Sequence, residues 1–390
     1  MSKDNDSINS LLTRGVEEVI DKKSLETKLS SGSKLRIKLG IDPTSPNIHI
    51  GRAVVLWKLR AFQDLGHQVV FIVGDFTGQI GDASDKDTER PMLTEEQIKN
   101  NLKTYFNQAF KILDQDKTET HYNSEWLKKL GFIEISRIAD LFGLHEFESR
   151  EVISRRMKAG KRVSLRELMY PLMQGYDSVA VKADVELGGT DQRFNLLAGR
   201  TIQPIYGQVS QDILMTDLLE GTDGRKMSSS WGNVINITDE SNDMFGKVMS
   251  LSDNLIVRYF KLATGVSLEE IQKLEEQLQG GTNPRDIKIR LAEELTTRYH
   301  GKKEAEKAKE EFENVFSKKA LPEDIEEVEN KGNIIATAVE AGIISSNSEA
   351  KRLIDQKAVK VNDKVVEEWE FKLKSGDVVK IGPRRFIKIK

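Results

Sequence analysis

Four stretches of this chain carry residue types at spacings suited to handling a phosphorylated ligand. The first is Ile37 to Gly66, IKLGIDPTSPNIHIGRAVVLWKLRAFQDLG. Its opening apolar run suits a buried strand, Pro43 and Pro46 break it into a loop, and Val55, Leu59 and Phe62 recur at helical spacing up to Gly66. A helix N-terminus presented after a strand and a tight loop favours an anion, through free backbone N–H groups and the dipole. His49 and Arg52 stand at that start as donors, and Gly51 permits close approach of a ligand. A Pro-rich loop opening a helix serves equally well as plain punctuation.

A second stretch, GDFTGQIGDASDKDTER, follows another apolar run and interleaves Gly74, Gly78 and Gly81 with Asp75, Asp82, Asp85, Lys86 and Arg90. Gly-rich loops at strand ends are where open α/β sheets place ligands, although a mobile acidic loop would look the same. It is neither a Walker loop nor a GxGxxG fingerprint. In the third stretch Tyr170, Gln174 and Asp177 share one face of an apolar helix, at i, i+4 and i+7. Burying them idle would be costly, and a ligand site would relieve that cost; a partly exposed surface face is the alternative. The fourth is the polar loop GTDGRKMSSS, with Lys226, Met227 and Ser228 to Ser230.

Elements that could position these groups follow from periodicity. A helix over residues 8–30 feeds a strand at Leu35–Leu39, and a second strand is Val69–Val73. Residues 95–130 read as helical with a break at Thr118–Asn123, then helices at Ile133–Phe142 and Arg150–Lys158, a helical insertion between two halves of a sheet. Val185–Leu187 is a short strand opening onto Gly188-Gly189-Thr190-Asp191-Gln192. From Asn236 onward charged helices dominate: Asp243–Ser250, Asn254–Ala263, Leu268–Gln277, Pro284–Tyr299 and Lys302–Phe316. Residues 317–331, with Pro322 and many acids, read as a linker. A compact apolar pattern then restarts, with helices at Ile334–Ala341 and Ser348–Ile354 and strands at Val359–Val361, Lys364–Val366, Val378–Ile381 and Arg385–Lys388.

At 390 residues the chain exceeds one ordinary core, so two or three domains are expected. No apolar run reaches membrane-spanning length, and the polar N-terminus lacks a signal core, which excludes a membrane partner and favours the cytoplasm. The absence of cysteine removes disulfides, a thiolate nucleophile and cysteine-bound zinc. Residues 331–390 hold 13 Lys and Arg against 8 Asp and Glu, although the whole chain carries −3. A basic tail on an acidic body points to a polyanion partner, and a merely solvated surface would show the same balance.

His49-Ile50-Gly51-Arg52 and Lys226 to Ser230 resemble, in order and separation, the paired His-Ile-Gly-His and Lys-Met-Ser-Lys-Ser signatures of class I aminoacyl-tRNA synthetases. Within that class, KLGIDPT and YPLMQGYDSVAVKADVELGGTDQRFN resemble the bacterial tyrosyl-tRNA synthetase family. The resemblance implies an α/β fold: a Rossmann-type parallel-sheet catalytic domain over residues 1–235, with a helical insertion at about 95–165. A helical anticodon-binding domain at 236–316 and a small α+β S4-like RNA-binding domain at 332–390 would follow.

The same resemblance implies activation of L-tyrosine by ATP with Mg²⁺, then transfer to the 3′ end of tRNA(Tyr), in a homodimer with no tightly bound cofactor. Asp177 would accept the substrate's phenolic hydroxyl, and Tyr170, Gln174 and Asp82 would bind its ammonium group. Lys38 stands among these tyrosine-site positions, and Gln192 would touch the carboxylate or the adenylate. Asp191 and Gly40 would face the ribose, with Asp42, Gly51, Met227 and Ser228 also on the ATP side. Thr44, His49, Arg52 and Lys226, joined by Lys86 and Arg90, would meet the phosphates. Lys351, Arg352, Lys357, Arg384 and Arg385 would contact tRNA.

Three positions depart from the family pattern. Lys38 replaces a tyrosine found in many members and is expected to pair with a carboxylate. Arg52 replaces the last histidine of the first signature, and Ser229 the second lysine of the other; Arg52 could offset the charge lost at Ser229. Two other readings remain open: a tryptophan-specific synthetase, which shares both signatures, and a synthetase-derived RNA-binding regulator without aminoacylation.

Overall fold

The computed structural model of the chain describes residues 2–82, 92–228, 231–317, 325–344, 346–362, 364–382 and 385–390. Apolar runs at β2 (Arg36–Ile41), β3 (Gln68–Val73) and β5 (Val185–Gly189) form the middle of a six-stranded sheet. It is completed by β1 (Val16–Ile20), β4 (Thr118–Tyr122) and β6 (Asp212–Thr216) in the order β1-β6-β5-β2-β3-β4. All neighbours run parallel except β1, which lies antiparallel on β6. Continuous hydrophobic strands are what a parallel sheet covered on both faces requires, and Val69 to Val73 are completely buried.

The chain builds outward from β2 through β3 to β4, then returns to lay β5 and β6 on the other side of β2. Strand order therefore reverses between β2 and β5, which opens a crevice at the carboxyl ends of those strands. On one face Ile37 and Leu39 share a core with the helix Ile50–Asp64 and with residues of the helices Ser241–Met249, Ile256–Ala263 and Pro284–His300. The other face is covered by the helices Leu165–Val181 and Arg193–Ile202. Gly175 lets those two helices meet: a Cβ there would stand 3.0 Å from the Ala198 carbonyl carbon.

The insertion contributes the helices Phe132–Ala139, Leu144–Glu148 and Glu151–Lys158. It is anchored by Arg156, whose buried guanidinium donates to both oxygens of buried Glu167, at 2.9 and 3.1 Å. The C-terminal segment forms a separate core. Its helices Ile334–Glu340 and Asn347–Asp355 accompany a sheet of β7 (Glu326–Val328), β8 (Val359–Val361), β9 (Lys364–Val365), β10 (Val378–Ile381) and β11 (Arg385–Ile389), in the order β7-β11-β10-β8-β9. No helix among the described residues is long and apolar enough to cross a membrane.

Three expectations need correction, and one strand was not expected at all. The single helix over residues 8–30 is a helix, β1 and a second helix. Gly15 breaks it at φ +61°, and β-branched Val16, Val19 and Ile20 then extend along β6. The break at Thr118–Asn123 contains β4, whose TETHY composition has no apolar signature because it is a half-exposed edge strand. The unexpected strand is β6, which lies between Gly207 and Asp217 and is wholly buried, with β5 and β1 on either side. The stretch read as a linker contains β7, which pairs parallel with β11.

Truncating one partner of a buried, bidentate ion pair strands the other charge. Arg156→Ala is expected to cost about 3–5 kcal/mol and lower the calorimetric melting temperature by several degrees; a shift within one degree would reject this anchoring role.

Candidate active site

His49 is the N-cap of the helix Ile50–Asp64, and its Nδ1 accepts from the Arg52 backbone N–H at 3.3 Å. That bond leaves the proton on Nε2, which has no partner among the described residues and is free to donate to a ligand. Burial, with Arg52 and Lys226 nearby, lowers the imidazole pKa to about 3, so the ring is neutral at ordinary pH. Arg52 donates to Thr44 Oγ1 at 2.9 Å and to the Tyr105 hydroxyl at 2.7 Å, which fixes its cation beside the loop after β2. Gly40, exposed at the end of β2, would carry a Cβ into open space.

The second signature docks against the first. Ile50 N–H donates to Ile235 O at 2.8 Å and Ile237 N–H to Ile48 O at 3.0 Å, an antiparallel clasp around His49 and Asn236. A Cβ on Gly51 would lie 3.1 Å from both Met227 Sδ and His49 Nδ1, so only glycine allows this contact without displacement. Asn233 staples the intervening loop: it donates to Asp223 at 2.8 Å and to Lys226 O at 3.1 Å, and accepts from Ser228 N–H at 2.9 Å. Lys226 reaches Asp191 at 3.1 Å across the open crevice.

Deeper in, a chain of polar side chains crosses the strand ends. The Tyr170 hydroxyl donates to Asp42 at 2.8 Å, Thr77 donates to the other Asp42 oxygen at 2.7 Å, and Asn123 donates to Thr77 at 2.8 Å. Buried Asp177 accepts from Asn123 at 3.2 Å and from the Trp126 indole at 2.7 Å. Desolvation lifts the Asp177 carboxyl to about 7, against the opposing pull of Lys38 and those two donors. Burial, then the carboxylates of Asp42 and Asp82, push the Tyr170 phenol well above its ordinary range. Gln192 bridges the crevice by donating to Asp82 at 2.7 Å, with its own oxygen taken by Asn195 at 3.0 Å.

Lys38 behaves differently from its neighbours. Its wholly buried ammonium contacts Glu186 at 2.8 Å, Ser178 Oγ at 2.8 Å and Gln174 O at 2.9 Å. Three N–H groups meet three acceptors, so none is left for a ligand. The carboxylate partner expected for Lys38 is thus Glu186, directly opposite it in the β2–β5 register.

The structure therefore gathers Lys38, Gly40, Asp42, Thr44, His49, Gly51, Arg52, Asp82, Tyr170, Gln174, Asp177, Asp191, Gln192, Lys226, Met227 and Ser228 around the carboxyl ends of β2, β3 and β5. Lys86, Arg90, Ser229 and Arg384 lie outside the described residues. The tail positions belong to the C-terminal unit: Lys351 lies over Trp369 at 4.6 Å, Lys357 pairs with Glu367 at 2.8 Å, Arg385 donates to Ile343 O, and Arg352 is exposed. Sequence reasoning missed Thr77, Tyr105, Asn123, Trp126, Glu186 and Asn233. Glu186 had a signal, a lone carboxylate in an apolar strand beside one carrying a lone lysine. Asn123 and Trp126 were hidden with β4.

Neutral donors and cations thus line one side of the crevice and carboxylates the other, an arrangement for holding a polyphosphate beside an ammonium-bearing molecule. No group of three or more His, Asp or Glu among the described residues could hold a metal ion.

The sequence model of the family described as tRNA synthetases class I (W and Y) matches residues 30–317, and the S4 domain model matches residues 336–379. The chain belongs to the class I tRNA synthetases, and it is an aminoacyl-tRNA synthetase. It is 48% identical over 396 residues to the tyrosine–tRNA ligase of Carboxydothermus hydrogenoformans, covering 97% of this chain and 96% of that protein. The tyrosine–tRNA ligase of Thermotoga maritima is 45% identical over 385 residues, with 97% and 96% covered. Among solved structures, a C-terminally truncated mitochondrial tyrosyl-tRNA synthetase of Aspergillus nidulans has a TM-score of 0.67 at 23% identity, covering 80% of this chain and 94% of that one. The Archaeoglobus fulgidus tyrosyl-tRNA synthetase complexed with L-tyrosine has a TM-score of 0.63 at 23% identity, covering 78% and 99%. At that identity the likeness is one of fold.

His49 is expected to remain neutral from pH 8 down to pH 4, as read from its imidazole NMR shifts. A midpoint near the ordinary 6.5 would show that the ring is neither buried nor facing Arg52 and Lys226.

Proposed function

We propose that the chain joins L-tyrosine to tRNA(Tyr) in two steps, through a tyrosyl-adenylate. The observation that carries this reading is Asp177, a buried carboxylate met only by donors. It lies on one face of a helix with Tyr170 and Gln174, and the two signatures close over the crevice above. A phenolic hydroxyl donates to Asp177. Tyr170, Gln174 and Asp82 offer oxygens to the ammonium group, while Gln192 presents its amide to the carboxylate or adenylate.

ATP enters from the His49 side. The imidazole Nε2–H, Thr44 and Arg52 face the phosphates, and Gly51 leaves room for them. Asp191 and Gly40 border the ribose, with Asp42 behind them holding Tyr170. Lys226 moves from Asp191 to the β- and γ-phosphates, and Lys86 and Arg90 join it. The tyrosine carboxylate attacks the α-phosphorus, the bond to the bridging oxygen breaks, and pyrophosphate departs. No side-chain nucleophile is needed. The rate comes from alignment and from fixed cations facing the growing phosphate charge. Mg²⁺ belongs here to the nucleotide substrate, carried by its phosphates. The 3′ ribose of tRNA then attacks the adenylate carbonyl and AMP leaves.

The S4 unit supplies RNA contact through Lys351, Arg352, Lys357, Arg384 and Arg385, which makes tRNA affinity salt-dependent. The insertion leaves large apolar side chains in water, with Phe132 87%, Ile133 81% and Leu165 78% exposed. Their exposure fits a surface that a second copy of the chain covers in a homodimer. A cytoplasmic location accords with this role.

Pyrophosphate exchange should depend on tyrosine; dependence on tryptophan, or on no amino acid, selects one of the other readings. With Asp177 titrating near 7, the KM for tyrosine is expected to rise about tenfold between pH 8 and pH 6 as the acceptor becomes a neutral acid. A flat profile would remove Asp177 from phenol recognition. Deleting residues 325–390 should impair tRNA charging at least tenfold and spare exchange, whereas equal loss of both would reject the division of labour.

A further inference from the structure

The ion pair beneath the Tyr170–Gln174 face has no part in the steps above, yet it determines what that face presents. Glu186 is fully buried and takes donors on both oxygens: Lys38 at 2.8 Å and the Gln174 amide at 3.2 Å on Oε1, Ser178 at 3.0 Å and the Gln211 amide on Oε2. Paired with Lys38, the Glu186 carboxylate can only accept. The Gln174 carboxamide must therefore turn its nitrogen down toward Glu186, which leaves its oxygen pointing away. Gln174 Oε1 has no partner among the described residues, and the side chain is half-buried at the crevice. Lys38 also holds the Gln174 backbone carbonyl at 2.9 Å, so the pair fixes both ends of the residue, the ammonium its carbonyl and the carboxylate its side-chain amide.

The pair cannot drift from this position. Lys38 and Glu186 are register partners on adjacent parallel strands. Ser178, one turn beyond Gln174, both accepts from Lys38 and donates to Glu186. Gly199 admits the network, because a Cβ there would lie 2.5 Å from Gln211 Nε2 and 2.9 Å from Ser178 Oγ.

We propose that the Lys38–Glu186 pair is a positioning device that forces Gln174 to offer an oxygen, never an N–H, to the substrate's ammonium group. This rests on the reading that Gln174 meets that ammonium. Amide oxygen and nitrogen are nearly equal in shape, so packing alone cannot choose between them, whereas an acceptor-only neighbour can. Without the pair, nothing beneath Gln174 is restricted to accepting. Gln174 can then turn over and present its NH₂ group to a cation. Lys38 thus contributes to amino-acid recognition through Gln174 while touching no substrate.

The test uses the full-length enzyme with Lys38→Met and Glu186→Leu combined, because replacing both members of a buried pair by apolar residues is tolerated better than removing one. KM for tyrosine is expected to rise about 10- to 100-fold, the scale of a lost hydrogen bond to a charged group, while KM for ATP stays within about twofold. Inhibition by 3-(4-hydroxyphenyl)propanoate, which has the phenol and carboxylate but no ammonium, should change by less than about threefold. Adding Gln174→Glu to the double variant should return KM for tyrosine most of the way, since a carboxylate has no wrong orientation. An unchanged KM for tyrosine, an equal weakening of tyrosine, ATP and the analogue, or failure of that rescue would each overturn the proposal. Gln174→Ala in the otherwise native chain separates the two layers. If it leaves the tyrosine KM unaltered, the underlying reading of Gln174 fails instead.

Discussion

A parallel sheet whose strand order reverses between β2 and β5 cannot cover its own carboxyl edge at that point, because the crossovers on either side lead away from each other. Every group in the candidate site depends on this opening. β2 delivers Asp42, Thr44 and the His49 helix; β3 delivers Thr77 and Asp82; β4 delivers Asn123 and Trp126; β5 delivers Asp191 and Gln192. Each comes from the end of a strand whose backbone is fixed by neighbours on both sides or, for β4, by β3. Positional precision is therefore supplied by the sheet, and the loops only carry it to the ligand.

Closure over that edge is achieved by chain from far downstream. The segment after Lys226 returns to hydrogen-bond with the residues around His49, and Met227 rests on Gly51. A neutral imidazole, a fixed guanidinium and an ammonium are thereby brought within one electrostatic neighbourhood, where burial first, then Arg52 and Lys226, lower the His49 pKa. The Lys226–Asp191 ion pair is partly exposed and contributes little by itself.

The polar interior below shows how charge can be buried without waste. Lys38, Glu186, Ser178, Gln174 and Gln211 form one cluster, and Tyr170, Asp42, Thr77, Asn123, Asp177 and Trp126 form a second. Asp177 is buried, met by two donors and by no cation in direct contact. Desolvation lifts its carboxyl to about 7, and a further donor from outside would favour its charged form.

Much of this is legible in the sequence. The Pro-broken loop with His49 at a helix start, the shared face of Tyr170, Gln174 and Asp177, and the apolar runs at Val69–Val73 and Val185–Leu187 are local patterns. Backbone dihedral preferences and helical periodicity act over a few residues and are written directly in the chain. What the sequence could not settle is pairing. TETHY becomes β4 only because β3 offers it an edge, and residues 16–20, released from the helix at Gly15, become a strand because β6 is beside them. Lys38 finds Glu186, and Met227 finds Gly51, through contacts between residues far apart in sequence. Only the folded chain decides such contacts, because they are selected by the burial and hydrogen bonding of the whole sheet and not by the propensity of either segment.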